Sequence, residues 1–409
     1  MTVTCETGST GLLTSPAAES IAVKYERLSS SVHVSRFQGA SGVAEVYLTA
    51  HPTRGGTFDA QLEEVSHAYR EALELIGLDA NTAIWRRFFC SDLPNQASAL
   101  AARPFSNSQG TETPCAVSWV RQPPAPPWKV ALCAYHVSDP RAELARTRDG
   151  TCLTLERGEL SHHWTTGLAR PGATSSYDQT RGILEDYEGF LKRRGLSLAD
   201  HVVRTWFYVQ NIDANYEGLV SARRECFATR GLTPETHYIA STGIEGGHSD
   251  VSAKVAMDAY AVSGLRAEQV EFLTAPAHMS PTHVYGVTFE RGVAIGYRDR
   301  RHLFISGTAS IDRTGQIVHR GNVARQLDRA LENVDALLKT AGGGIHDMCH
   351  WVVYVRDTGD YALAHHQMRE RVGDAPMTVV LAPVCRPGWL IEVEGQAILP
   401  DHRPERPAF

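Results

Sequence analysis

The sequence predicts an α+β chain built from three tandem units, each a β-sheet packed by two helices. Three observations carry this. At 409 residues the chain is too long for one small domain. Apolar residues at helical period give way to a run of strand formers three times along it. The three passages also share a spacing, from a glutamine in the helix to a residue of the strand that follows. Gln61 to Phe88 is 27 residues, Gln179 to Tyr208 is 29, and Gln326 to Tyr354 is 28. Near-equal spacing at three places is the mark of an internal repeat. Units are expected at residues 30–140, 155–263 and 283–400, after a flexible leader over residues 1–29.

Taken in order, Met1 to Ser20 has neither a basic start nor an apolar stretch and does not read as a signal peptide. Unit one opens its helix at Gln61 and runs into the strand Ile84 to Phe89. The strands Pro114 to Val120 and Trp128 to Tyr135 complete it. The proline-rich link Arg121 to Pro127 between them cannot continue a ladder. Unit two repeats the pattern, with Leu184, Tyr187 and Leu191 on its helix, then Arg204 to Val209, then strands at Thr236 to Thr242 and Val251 to Val262. Unit three opens with the strand Leu303 to Ala309. Its amphipathic helix carries Val323, Leu327, Ala330, Leu331, Val334, Leu337 and Leu338 on one stripe. The strand Trp351 to Val355, a helix over Tyr361 to Val372, and strands Met377 to Ala382 and Trp389 to Ile398 follow. The link between the last two holds Cys385, Arg386, Pro387 and Gly388, and the final strand carries Glu392 and Glu394 on the same phase.

Charge and composition exclude several classes. A net charge of -6 argues against a nucleic-acid surface. The short basic clusters Lys192 to Arg194 and Arg298 to Arg301 read as solvated faces. No apolar run is long enough to span a membrane. Eight cysteines without Cys-x-x-Cys spacing fit free thiols in a reducing cytoplasm, and no structural zinc site is expected. Neither His162-His163 nor His365-His366 can chelate well from opposed faces. His346 and His350 have helical ligand spacing but little room for a helix between Gly344 and Trp351, so no metal is assigned.

Several motifs of unit three resemble the Rid (YjgF/L-PSP-like) superfamily: Phe304-Ile305-Ser306-Gly307, Leu331-Glu332-Asn333-Val334, Tyr354-Val355-Arg356-Asp357, and Arg386 followed by Ile391-Glu392-Val393-Glu394. Across units two and three the chain resembles the chorismatases, which carry two Rid-like units and release pyruvate from chorismate. The residues that carry this are Arg204-Thr205-Trp206 with Tyr208, Thr242-Gly243-Ile244, Pro281-Thr282 with Tyr285-Gly286, Phe289-x-Arg291, and His319-x-Gly321-Asn322 with Gln326. The first unit then stands as an extra, degenerate Rid-like unit, with Lys129 and Tyr135 on its last strand in place of the acids. Single-unit Rid proteins form homotrimers with ligand sites between subunits. Three units in one chain therefore imply either a pseudo-trimeric monomer or a homo-oligomer.

The resemblance implies a small carboxylate substrate and no cofactor. It assigns Glu392 as the acid, with Glu394 beside it, and Cys385 with Gly307 as the pair found in chorismatases that form 3-hydroxybenzoate. Arg204, Tyr208, Tyr285, Arg291, Arg356 and Arg386 become substrate-binding residues. Physical chemistry agrees in outline, since a dianion calls for fixed guanidinium forks and a buried carboxyl is raised toward the protonated form. A thiol beside an arginine is placed for a lowered pKa. Against this, each arginine can equally serve a structural ion pair, and Glu245 is an acid that would disfavour an adjacent dianion. The reading is an enzyme releasing pyruvate from chorismate or a related enol-ether acid. The alternatives are an imine or enamine deaminase of the Rid kind, or a non-enzymatic ligand-binding scaffold.

Overall fold

The computed structural model describes residues 22–107 and 114–409, so most of the expected leader, with Cys5, lies outside the described residues. The first sheet is made of β1 (Lys24–Arg27), β2 (Val32–Gln38), β3 (Ala44–Ala50), β4 (Ala83–Cys90), β5 (Ala116–Arg121) and β6 (Val130–Ser138), with α1 (Phe58–Leu75) and α2 (Leu93–Ala101). The second has β7 (Arg146–Asp149), β8 (Cys152–Arg157), β9 (Leu160–Ala169), β10 (Val202–Val209), β11 (Ala240–Glu245) and β12 (Val255–Ser263). Its helices are α3 (Ser176–Lys192), the single turn α4 (Leu198–His201) and α5 (Ile212–Ala228). The third has β13 (Val270–Phe272), β14 (Gly292–Gly296), β15 (Arg300–Ala309), β16 (Met348–Val355), β17 (Met377–Leu381) and β18 (Ile391–Pro400), with α6 (Val323–Thr340) and α7 (Tyr361–Val372).

All three sheets have one topology. The orders β1-β2-β3-β6-β4-β5, β7-β8-β9-β12-β10-β11 and β13-β14-β15-β18-β16-β17 are the same path with six added to each label. In each, the fourth and fifth strands are parallel and the sixth is antiparallel to the fourth. Fold class and threefold repetition are as the sequence predicts. Three edges differ. Lys24–Arg27, inside the expected leader, pairs with β2, and the second and third sheets begin at Arg146 and Val270 rather than near 155 and 283. These edge strands have three or four residues, too few to show an alternating pattern.

The repeating glutamine has one structural job. Gln61, Gln179 and Gln326 are buried, and each carbonyl accepts from the residue just before the final strand: Lys129 N at 2.6 Å, Lys254 N at 2.7 Å and Leu390 N at 2.8 Å. Each side-chain amide donates to two loop carbonyls, Arg54 and Pro127 in unit one, Ala173 and Ser252 in unit two, His319 and Gly388 in unit three. The helix is thereby pinned to the loop that precedes the last strand, and backbone groups that would otherwise be orphaned are satisfied.

The units contact one another in a closed ring. The last residue of each fifth strand donates its backbone N–H to the next unit, always at the residue two past that unit's own fifth strand. The bonds are Arg121 to Gly247 O at 2.9 Å, Glu245 to Pro383 O at 3.1 Å, and Leu381 to Pro123 O at 2.8 Å. Apolar clusters draw residues from all three sheets. Buried ions cross between units as well. Arg300, at 0% exposure, donates to Glu45 Oε1 at 2.6 Å and to Asp299 at 2.9 Å, while His302 lies 2.9 Å from Glu45. The cluster Arg298 to Arg301 is therefore not a solvated face, because Arg300 falls on the buried phase of β15. Among the described residues no helix is long and apolar enough to cross a membrane.

Candidate active site

The cleft between units two and three gathers the chemistry. From unit two, α5 contributes Tyr216 and Arg223, and β11 contributes Ser241, Thr242 and Gly243. From unit three come the segment Tyr285 to Arg291, the end of β15 with Gly307, and the link with Cys385, Arg386 and Trp389 that leads into Glu392 of β18. The cavity is narrow, about 30 Å³.

Glu392 is the second residue of β18 and 6% exposed. Burial raises its carboxyl, the neighbouring Glu394 raises it further, and Arg291 and Arg204 only partly offset them, leaving it at about 8. The acid is thus protonated at neutral pH. Gly307 makes its position possible, since a Cβ there would stand 2.1 Å from Glu392 Oε1 and 3.0 Å from Thr242.

Three arginines face this acid. Arg223, 2% exposed, donates to Thr288 Oγ1 at 3.2 Å and Ser241 Oγ at 3.4 Å. Arg291 donates to Ser280 O at 3.0 Å and lies 5.4 Å over the Tyr285 ring. Arg386 donates to Tyr285 O at 3.1 Å between the rings of Tyr285 at 4.9 Å and Trp389 at 5.3 Å. Their partners are hydroxyls, carbonyls and rings; among the described residues none of the three forms an ion pair. A buried guanidinium without a counter-ion is costly, and burial holds Arg223 below its ordinary value. Together they make a site with an unmet demand for anions.

The expected residues divide. Glu392, Cys385, Gly307, Tyr285, Arg291 and Arg386 surround this cleft. Arg204, Tyr208, Arg356 and Glu394 do not. Arg204 donates to Glu394 Oε2 at 2.6 Å in a fully buried pair, which Trp206 at 3.0 Å and Tyr354 at 2.8 Å complete from the other oxygen. Tyr208 donates to Asp258 at 3.2 Å, where Ser118 and Arg87 of unit one also converge. Arg356 pairs with Asp213 and donates to Val384 O at 2.8 Å. The structural alternative holds for these arginines. Glu245 also lies away from the cleft, accepting from Asn211 N at 2.9 Å and Ile212 N at 2.6 Å to cap α5. The expectation of a lowered thiol pKa at Cys385 is corrected. Burial and the adjacent Glu392 push it up to about 12, against the pull of Tyr216, Arg386 and Arg223, so it stays a thiol.

Arg223 and Tyr216 were not anticipated from sequence. The signal was present in phase: Leu219, Arg223 and Phe227 are spaced by four on α5 and share its buried face. The glutamine pins also fix which residues correspond between units. Counting from the start of each final strand, Ala131 and Ala256 stand where unit three has Glu392, and Ala125 and Asp250 where it has Arg386. Among the three units, only the third brings an acid to this position.

Comparison with known proteins agrees with this architecture. The family model described as Endoribonuclease L-PSP matches residues 292–399. A chorismatase of Streptomyces rapamycinicus is 31% identical over 253 residues, covering 56% of this chain and 73% of that protein. A RutC family protein of Pyrococcus horikoshii is 36% identical over 98 residues, covering 23% of this chain and 77% of that protein. A chorismatase crystal structure superposes with a TM-score of 0.59 at 19% identity, covering 78% of this chain and 93% of that one, and this likeness speaks to fold alone. The chain belongs to the Rid (YjgF/L-PSP-like) superfamily and, within it, to the chorismatase family, with a further Rid-like unit at its N-terminus.

Proposed function

We propose that the chain is a chorismatase-like enzyme that releases pyruvate from chorismate or a related enol-ether carboxylic acid, giving a benzoate-type product such as 3-hydroxybenzoate. The observation that carries this is the meeting of Arg223, Arg291 and Arg386, none with a carboxylate partner, around the protonated Glu392. Two carboxylates of a dianionic substrate supply the missing counter-charge. Glu392 gives its proton to the methylene carbon of the enol ether. The electron pair of that double bond forms the new C–H bond and leaves an oxygen-stabilised cation next to it. Water, or a route within the substrate, resolves the cation and frees pyruvate. Burial and the neighbouring Glu394 keep the acid neutral until substrate takes its proton.

The neutral Cys385 thiol acts beside the ring as a donor and shape element rather than as a thiolate, in the space Gly307 leaves. A ring-sized ligand enters the narrow cleft when the Thr282 to Phe289 segment moves outward, with Gly286 at φ 86° as its free residue. Bound ligand then protects this segment from limited proteolysis. The ring of backbone bonds between units supports a pseudo-trimeric monomer.

Incubation with chorismate, followed by ultraviolet absorbance and pyruvate release, tests the reading. Glu392→Gln is expected to abolish pyruvate release, while Cys385→Ala retains turnover and shifts the product toward the hydrolytic diene diol. Equal loss in both variants, or wild-type protein inert to chorismate but active on imines, moves the assignment to a Rid-type deaminase.

A further inference from the structure

The cleft between units three and one is larger and serves no step of the proposed reaction. We propose that it is a second, non-catalytic binding site, for a small aromatic monocarboxylate. Its place in the fold is equivalent to that of the active cleft. There α5 and β11 of unit two face the end of β15 and the link before β18. Here α7 and β17 of unit three face the end of β3 and the link before β6 of unit one.

Two functional positions are kept, while the acid and the arginine of the link are lost. Arg223 lies 14 residues past the end of β10 (223 − 209), and Arg369 lies 14 past the end of β16 (369 − 355). Trp389 and Trp128 each stand two residues before the final strand (391 − 389 and 130 − 128). By contrast Ala131 replaces the acid Glu392, and Ala125 replaces Arg386. The anchor for one carboxylate and an aromatic wall remain, while the proton donor and the second guanidinium of the link are gone. Such a site binds and does not react.

The cavity suits that ligand. It holds about 490 Å³, within the range of small-molecule sites, against about 30 Å³ in the active cleft. Trp128 stacks on His51 with ring centroids 3.9 Å apart. Tyr361, Met377 and Val379 add apolar wall, and no Asp or Glu is among the lining residues. The Arg369 head is held by Gly373 O at 2.9 Å and Ala375 O at 2.7 Å and forms no ion pair among the described residues. Asp374, the carboxylate that acts on it, lies outside the lining and 3.8 Å from His33. Burial, reinforced by the Arg369 charge, keeps His51 and His365 below their ordinary value and so neutral. One fixed positive charge in an aromatic cavity matches a monoanion, where the active cleft matches a dianion.

Fold equivalence places this site whether or not the chain turns over chorismate. The test is calorimetric titration of the full chain with benzoate and, as a neutral control, benzamide. Work in an Arg386→Met background, which weakens carboxylate capture in the active cleft, isolates the second site. Benzoate is expected to bind there and benzamide at least roughly tenfold more weakly. Adding Arg369→Met is expected to weaken benzoate by roughly tenfold or more. Ala362→Trp, at an exposed position of α7 that lines the cavity, should do the same by filling it if the arginine variant does not fold. Benzoate binding that is absent in Arg386→Met, or unchanged by both Arg369→Met and Ala362→Trp, overturns the assignment.

Discussion

Glu392 carries a folded-state pKa of about 8 where an unfolded glutamate has 4.5. The sign follows from the raised value: the neutral form is favoured in the fold. Its stabilising contribution is full below 4.5 and is lost as pH rises through 8. Pyruvate release should therefore hold below pH 8 and fall about tenfold per unit above it, as the pH profile of kcat/KM will report. Glu394→Gln should move that limb to lower pH, because it removes a charge that raises Glu392 and leaves Arg204 free to lower it. Glu392→Gln should unfold less readily than wild type in denaturant above pH 8. Arg223→Met should raise KM by roughly tenfold or more with a smaller effect on kcat, since one fork is lost from binding. Glu392, Gly307 and Arg386 were named through the family resemblance, and the pairing of β15 with β18 brings all three to one cleft. It misled on Arg204 and Arg356, whose partners Glu394 and Asp213 lie 190 and 143 residues away and are joined only by the fold.

Helices α1, α3 and α6 are each held by one buried amide, and that is why the glutamine spacing was readable before the strands were. Removing the side chain from Gln179 leaves Lys254 N, Val255 N and two loop carbonyls without partners. Gln179→Ala should cost about 2–4 kcal/mol in chemical denaturation. Gln326→Ala should also lower kcat/KM for pyruvate release, because Gly388 O and Leu390 N sit between Arg386 and Glu392. Gln61→Ala, the same change in unit one, should leave kcat/KM nearly unchanged. Long amphipathic helices and buried strands announce themselves by period. The edge strands β1, β7 and β13 have too few residues to show one, which is why the unit limits were read too narrowly.

The three units are locked by ions that only the assembled chain can place. Glu45 would be raised by burial, but His302 and Arg300 outweigh that and hold it at about 2. Its contribution is present above the unfolded value of 4.5 and lost as pH falls toward 2, so Glu45→Gln should flatten the acid limb of stability, read as denaturation midpoint against pH. Glu45→Ala should cost about 3–5 kcal/mol, because it strands Arg300 without its main partner. Strand phase on β15, with Arg300, His302 and Phe304 on one face, held this information, while composition alone pointed to the surface. The ring of backbone bonds has a consequence for how such a protein can change. In an assembly of three identical chains, every substitution is copied into all three clefts at once. One continuous chain breaks that rule: Glu392 and Arg386 of the third unit stand where the first has Ala131 and Ala125, and each position was free to drift alone. The clefts are therefore separately editable, and Ala131→Glu with Ala125→Arg would write an acid and a guanidinium into the second cleft while leaving the residues of the first untouched.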